Sequence, residues 1–454
     1  MKRYSPSALL ESLREIVPAQ ANGALCIAYS GGLDSSVLLH SLAELVARGA
    51  PYRLRAVHVD HRLQADSSKW REHCVRTARE AGIECTALSV EVPAADGAGG
   101  LESAARKARY EALRKELRPD EVLLTAHHAD DQLETMLLAL VRGAGVRGLS
   151  AMPALQAFPP GWHARPLLPF SRAELETWAR ERGLSWIDDP SNEHVGFDRN
   201  YLRHQVVPAL RERWPSVMHS AVRSAMHLGE AGRLLDSLAE ADARAALVGP
   251  CLRVPALKAL EPERRRNLLR YWIKQQGVRA PSSRKLAAIG HDMLSAGEDR
   301  EPCVEWDDAQ MRRHAGLLYC IPLQSGLPEG LELKWPEGEA LELPAGLGRL
   351  RVVAAHAGLA HEKLSWPLTV RFRRGGERFR PAGDAHHRAL KKLLQSSRVL
   401  PWWRERLPLV YSAGQLAAVA DLWVAQEYAA SEGERAVAIV WENKPAIVAQ
   451  ADNR

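Results

Sequence analysis

One short stretch of the chain, Ser30-Gly31-Gly32-Leu33-Asp34-Ser35-Ser36, has the composition of an anion cradle. Two adjacent glycines let the backbone turn with positive φ and come close to a ligand. A helix that starts just after them offers unpaired N–H groups and the positive end of its dipole. Ser30, Ser35 and Ser36 add hydroxyl donors. Together these suit a phosphate. The loop lacks the lysine that P-loop nucleotide sites carry beside their last glycine; Leu33-Asp34 stands there instead. A carboxylate inside a phosphate cradle repels its ligand unless a divalent cation lies between them, so Asp34 reads as a Mg²⁺ ligand. A second polar group, Thr125 to Thr135, holds His127, His128, Asp130, Asp131 and Glu134. Asp131 and Glu134 are three apart and share a face if helical. Acids at a helix start also serve as caps, the plain alternative. A third group is His58 to Arg62.

The elements around these groups explain their placement. Residues 24–29 form a short apolar run, as expected of a buried parallel strand, and residues 37–46 continue as a helix. Further strands are expected at 52–59, 85–92 and 121–126, with helices at 67–81 and 101–117 and a flexible run at 93–100. Strands alternating with helices predict an α/β fold: an open parallel sheet with helices on both faces. Ligands of such sheets sit beyond the carboxyl ends of the strands. Three of those ends carry the three polar groups. Residues 153–169, rich in proline, read as a crossing loop. Ser171 and Glu174 form a capping box, residues 188–192 a turn, and 197–210 a basic helix with Arg199 and Arg203. The first domain is expected to span 1–215. A mostly helical middle domain (216–325), a linker with strands (326–367) and a small basic α+β domain (368–454) follow.

The composition is that of a soluble protein, with 46% hydrophobic and 26% charged residues and no run long enough to span a membrane. Its six cysteines are scattered without a C-x-x-C pair, which argues against a disulfide framework and a cysteine metal site. A cytoplasmic protein with reduced thiols is expected. Net charge is +6, and its placement is uneven. Residues 368–408 hold eleven Lys and Arg against three Asp and Glu, so the rest of the chain is slightly acidic. That concentration suits a phosphate backbone, or else a solvated basic face.

The Ser30 loop resembles the pyrophosphate loop of the PP-loop ATP pyrophosphatases, which cleave ATP between its α- and β-phosphates. Longer blocks are more specific. HVDHRL at His58, ARKARY at Ala105, TAHHADDQLETMLLALVRGAGVRGL at Thr125, RPLLPFSRAELE at Arg165 and SWIDDPSNEHVGFDRNYLRHQVVPAL at Ser185 occur in order. VRFRRGGERFRP at Val370 and LKKLLQSSRVLPWWRERLPLVY at Leu390 follow near the end. In these the chain resembles the tRNA(Ile)-lysidine synthetase family. The resemblance implies ATP, Mg²⁺ and L-lysine as reactants, an isoleucine tRNA with a CAU anticodon as substrate, and no obligatory protein partner or membrane. It implies adenylation of the wobble cytidine and displacement of AMP by the ε-amine of lysine, which changes the codon read from AUG to AUA. It places ATP on Ser30, Gly31, Gly32, Leu33, Asp34 and Ser35, and Mg²⁺ on Asp34 with Asp131. Asp131 and Glu134 are candidates to hold lysine; either of them, or His128, could take the amine proton. Arg106, Arg109, Arg203, Lys391 and Lys392 are candidate tRNA contacts. Alternatives are a tRNA thiolase, another PP-loop ligase, or a catalytically dead RNA-binding relative.

Overall fold

A computed structural model describes residues 3–62, 67–92, 98–188, 196–297 and 300–449. The turn expected at 188–192 and the flexible run at 93–100 lie largely outside the described residues. The chain divides into two compact units, Met1–Leu235 and Asp236–Arg454. The boundary expected at 215 falls just before a long helix, Val217–Ala246, and the first unit continues to Leu235.

In the first unit, β1 (Ala24–Ala28), β2 (Arg53–Asp60), β3 (Glu84–Ser89), β4 (Val122–Leu124), β5 (Leu155–Phe158) and β6 (Gly161–Ala164) form one sheet in the order β3-β2-β1-β4-β6-β5. All neighbours are parallel except β5, which pairs antiparallel with β6 at the edge. That hairpin lies in the proline-rich stretch read as a crossing loop. Pro159-Pro160 turns it, and the strands on either side are too short for their alternation to stand out. Side chains alternate between two apolar layers. Leu25, Ile27, Val122 and Leu124 pack in one with helices α1 (Pro6–Ile16) and α2 (Leu33–Ala47). Cys26 and Leu123 pack in the other with Leu113 and Leu117, at the end of and just after α4 (Ala98–Glu116); α3 is Ser67–Glu80. This is the expected open sheet covered on both faces. The order reverses between β1 and β4, so the loops after these two strands flank the crevice where such sheets bind ligands.

Charge is also buried in this sheet. Arg55 on β2 makes two hydrogen bonds to Glu121, at 2.7 and 2.6 Å, and one to Glu116 at 3.0 Å. Arg55 and Glu121 are both buried.

In the second unit the middle region is helical, with Val254–Ala259, Pro262–Gln275 and Ser283–Ser295. It carries in addition a five-stranded antiparallel sheet built from Leu247–Val248, Cys251–Arg253, Cys303–Trp306, Ala309–His314 and Leu317–Pro322. The sequence reading did not anticipate that sheet, since Glu305, Arg312 and Arg313 break its apolar pattern. The remainder is α+β. A second five-stranded sheet includes Glu332–Trp335, Leu368–Phe372, Pro408–Ser412 and Gln415–Val419, with the helix Leu390–Ser396 beside it. The expected linker is therefore built into the last module: it supplies Glu332–Trp335, and also the long strand Arg349–Ala360, which pairs with Ala436–Glu442.

Replacing Glu121 by Ala leaves a buried guanidinium with only Glu116 and a carbonyl. Urea unfolding of the Glu121→Ala variant is expected to show a loss of about 3 kcal/mol. A change below about 1 kcal/mol would mean that the pair is dispensable.

Candidate active site

Two loops meet at the switch point. The first follows β1. Gly31 has φ +83° and Gly32 caps α2 in an extended conformation. The serine hydroxyls brace the loop from within. Ser35 Oγ donates to the Gly32 carbonyl at 3.0 Å and lies 3.0 Å from Ser30 Oγ; Ser36 Oγ donates to the Gly31 carbonyl at 3.4 Å. Ser35 and Ser36 are buried. What the loop turns outward is backbone and Ser30, not all three hydroxyls. A fourth brace comes from far along the chain, where the Ile187 N–H donates to the Gly31 carbonyl at 2.9 Å. His58, at the end of β2, lies with Nδ1 2.9 Å from the Tyr29 carbonyl; burial holds its pKa below the usual range, so the neutral ring donates.

The second loop follows β4 and opens α5 (Ala129–Val141). Here the structure gathers Asp34, His128, Asp130, Asp131 and Glu134. His128 is buried, with Nε2 3.6 Å from Asp34 and 3.5 Å from Asp131, and Nδ1 3.4 Å from Asp130. Burial disfavours its charged form, but the surrounding carboxylates, Asp131 foremost, outweigh it and raise its pKa well above the ordinary value. An imidazole that already holds its proton is a poor base. Burial likewise opposes ionisation of Asp131, and His128 and Arg199 overcome it, so that its carboxyl stays well below the usual range.

The acids are matched by two arginines that sequence reading had set on an ordinary basic helix. Arg199 Nε is 2.7 Å from Glu134 Oε2, and its Nη2 is 2.9 Å from Asp131 Oδ1. Arg203 Nε is 2.7 Å from Glu134 Oε1, and its Nη2 is 3.2 Å from Asp131 Oδ1. They sit on Asp198–Tyr201 and the π-helical stretch Leu202–Val206 that follows. Arg203, a candidate tRNA contact, is committed to these carboxylates. Arg199, named on the same basic helix, was not among the candidate site residues; its signals were the family resemblance of that block and its spacing of four from Arg203. Arg106 and Arg109 lie on α4 with guanidinium carbons 5.0 and 5.9 Å from the Tyr110 ring centre. Lys391 and Lys392 are exposed on the helix Leu390–Ser396 in the other unit.

Among the described residues no three His, Cys, Asp or Glu side chains are grouped to hold a metal unaided. Mg²⁺ bound through phosphates needs only one or two carboxylates. Asp34 fits that role, since its Oδ1 is buried without a hydrogen-bond partner. Asp131 fits less well, its oxygens being taken by Arg199, Arg203 and the His128 N–H.

A loop of this build, set across a switch point from a strand-end acidic cluster, defines a PP-loop nucleotide-binding domain, and residues 7–210 match the family model described as a PP-loop domain. Residues 252–319 match the TilS substrate binding domain and 368–441 the TilS substrate C-terminal domain. The tRNA(Ile)-lysidine synthase of Alkalilimnicola ehrlichii is 42% identical over 436 residues, covering 95% of this chain and 96% of the relative. That of Coxiella burnetii is 38% identical, covering 95% of each. Among solved structures, the U34-tRNA thiolase NcsA from Methanococcus maripaludis aligns with 50% of this chain and 78% of its own, at 18% identity and a TM-score of 0.41. The chain belongs to the tRNA(Ile)-lysidine synthase family.

Gly31 and Gly32 separate backbone strain from ligand contact. A Cβ on Gly31 would lie 2.8 Å from Cys74 Sγ and 2.9 Å from Ile187 Cδ1, whereas one on Gly32 meets nothing closer than 3.6 Å. Gly31→Ala is expected to lose about 1–3 kcal/mol in thermal or urea unfolding, and Gly32→Ala less than about 1. Equal losses would show that the loop is not held by this contact.

Proposed function

We propose that the protein uses ATP to join L-lysine to C2 of the wobble cytidine of an isoleucine tRNA, in two steps at the β1–β4 crevice. The cytidine O2 attacks the α-phosphorus of ATP, and the bond to pyrophosphate breaks. The unprotonated lysine ε-amine then attacks C2, the C–O bond breaks, AMP leaves, and the new C–N nitrogen gives up a proton to a carboxylate of the cluster, Asp131 or Glu134, or to solvent. The observation that carries this reading is the pairing of a lysine-free phosphate loop with a buried, partly open cluster of acids and arginines. Backbone N–H groups at the start of α2 receive phosphate oxygens. Asp34 would hold Mg²⁺, which would supply positive charge for the phosphates when bound. The mixed-sign cluster of Asp131, Glu134, Arg199 and Arg203 suits a zwitterionic amino acid, whose α-ammonium would exchange for an arginine at a carboxylate and whose carboxylate would take the guanidinium so released.

Enzyme thiols fit no step. Burial pushes the thiols of Cys26 and Cys74 up to about 12 and that of Cys85 to about 11, so none is a thiolate near neutrality. This argues against sulfur transfer and leaves the activated group on a substrate. Among the described residues no helix is long and apolar enough to cross a membrane.

Omission of one substrate at a time tests the order. With α-labelled ATP, label is expected on the tRNA when lysine is absent. Pyrophosphate exchange into ATP with lysine alone would overturn the reading, because it means that the amino acid is activated instead. In the same assay Asp34→Asn is expected to cut labelling by about 10²–10³ while folding normally.

The tRNA backbone is assigned in part to the last module. Several of its arginines are ion-paired inside it: Arg371 with Glu332, Arg380 with Glu427 and Arg388 with Asp384. Lys391, Lys392 and Arg398 are exposed and have no carboxylate partner among the described residues. Changing Lys391 and Lys392 to Ala is expected to weaken tRNA binding and to lower the slope of log K against log salt by about 2. An unchanged slope would remove these lysines from the interface.

A further inference from the structure

A second polar cluster closes the ends of β4 and β6, and the reaction above makes no use of it. Thr125, His163 and Arg165 are all buried, His163 completely. Arg165 has no carboxylate partner among the described residues. Its Nη1 donates to the Pro153 carbonyl at 2.7 Å, and its Nη2 lies 3.3 Å from His163 Nδ1. Gln156 Nε2 lies 3.3 Å from the same nitrogen. On the other side of the ring, His163 Nε2 is 2.8 Å from Thr125 Oγ1, which is 2.8 Å from His127 Nδ1.

The direction of each link follows from the chemistry at one end. A guanidinium has only N–H donors, so His163 Nδ1 accepts. Burial first, then Arg165 and Arg106, push the His163 pKa down to about 3, and its single proton sits on Nε2. That N–H donates to Thr125 Oγ1. The hydroxyl then has one hydrogen to give, and His127 Nδ1 is the acceptor in reach. Burial holds His127 neutral in spite of Asp131, so its own proton is on Nε2. The His127 ring is half-buried, and its Nε2 makes no hydrogen bond among the described residues.

We propose that Arg165, His163 and Thr125 are positioning residues that lock His127 in the Nε2–H tautomer, making it a fixed hydrogen-bond donor to an oxygen of the bound substrate and not a proton acceptor. Arg106, Arg165 and Arg199 all act on the His127 ring, opposing the charge of Asp131. A donor fixed in advance loses no reorganisation when charge develops on the oxygen it faces. A ring free to exchange its tautomer would present a lone pair part of the time and repel that oxygen. The identity of the oxygen, in the reacting base or its adenylate, rests on the function proposed above; the tautomer does not.

Nitrogen-15 labelling of histidine tests this on the whole protein without substrate, with the His127 resonances assigned by their loss in His127→Asn. Wild-type His127 is expected to show an unprotonated Nδ1 and a protonated Nε2. Thr125→Val, close in shape, and His163→Phe are expected to convert this to a mixture and to slow tRNA labelling from α-labelled ATP by about 10- to 100-fold. His163→Gln is expected to restore both, because its amide donates to Thr125 while its carbonyl accepts from Arg165. A mixed or Nδ1–H tautomer in the wild-type protein would overturn the proposal. So would a Thr125→Val variant that keeps tautomer and rate, or a His163→Gln variant as slow as His163→Phe, since the latter means packing alone is at work. Failure of wild-type protein to label tRNA would count against the assigned reaction, while the resonances decide the tautomer on their own.

Discussion

Four carboxylates converge where β4 ends and α5 begins, and the cost of burying them governs how this part of the chain is arranged. Glu134 is 1% exposed and Asp131 8%. Left unpaired, such charges would be destabilising by several kcal/mol each. The compensation comes from a segment some 65 residues later in the chain, which brings Arg199 and Arg203 against the two acids, and from His128 kept charged between Asp34, Asp130 and Asp131. Asp130 adds a tie of its own, accepting from the Arg172 N–H at 2.8 Å. The acids therefore organise the fold before any substrate arrives. The π-helical stretch beside Arg199 and Arg203 is consistent with a backbone adjusted to let both guanidinium groups reach the same pair.

The parts of this arrangement that were legible in the sequence are the local ones. The glycine pair, the apolar strand before it and the helix after it lie between Ala24 and Ala47, and their geometry follows from backbone chemistry alone. The same is true of the Ser171–Glu174 capping box, in which Ser171 N donates to Glu174 at 2.8 Å and Glu174 N to Ser171 Oγ at 3.4 Å. The candidate acids were legible as a group, but not their partners. Nothing in the spacing of Arg199 and Arg203 tells a solvated helix face from one folded onto buried carboxylates; only long-range packing decides that. Roles suffered for the same reason. His128 is one of three candidate bases by residue type, and the carboxylates around it raise its pKa well above the ordinary value.

Short strands were the other loss. The β5–β6 hairpin has four residues on each arm, and the strand Cys251–Arg253 has three. At that length two or three apolar residues cannot establish a period. In the last module, net charge overstated what is available to a ligand, because local ion pairs consume part of the arginine excess while the neighbouring lysines stay exposed.

The larger apolar core of the second unit crosses the boundary between the two family models that match it, while the middle region keeps a smaller core of its own. Cys251, Leu317 and Tyr319 belong to the same buried cluster as Trp335, Leu368, Phe379, Leu409 and Trp441. Residues that share a core constrain one another's volume. The middle sheet and the last module are thus coupled at this contact, and substitutions at Tyr319 are constrained by what stands at Trp402, 5.2 Å away between ring centres.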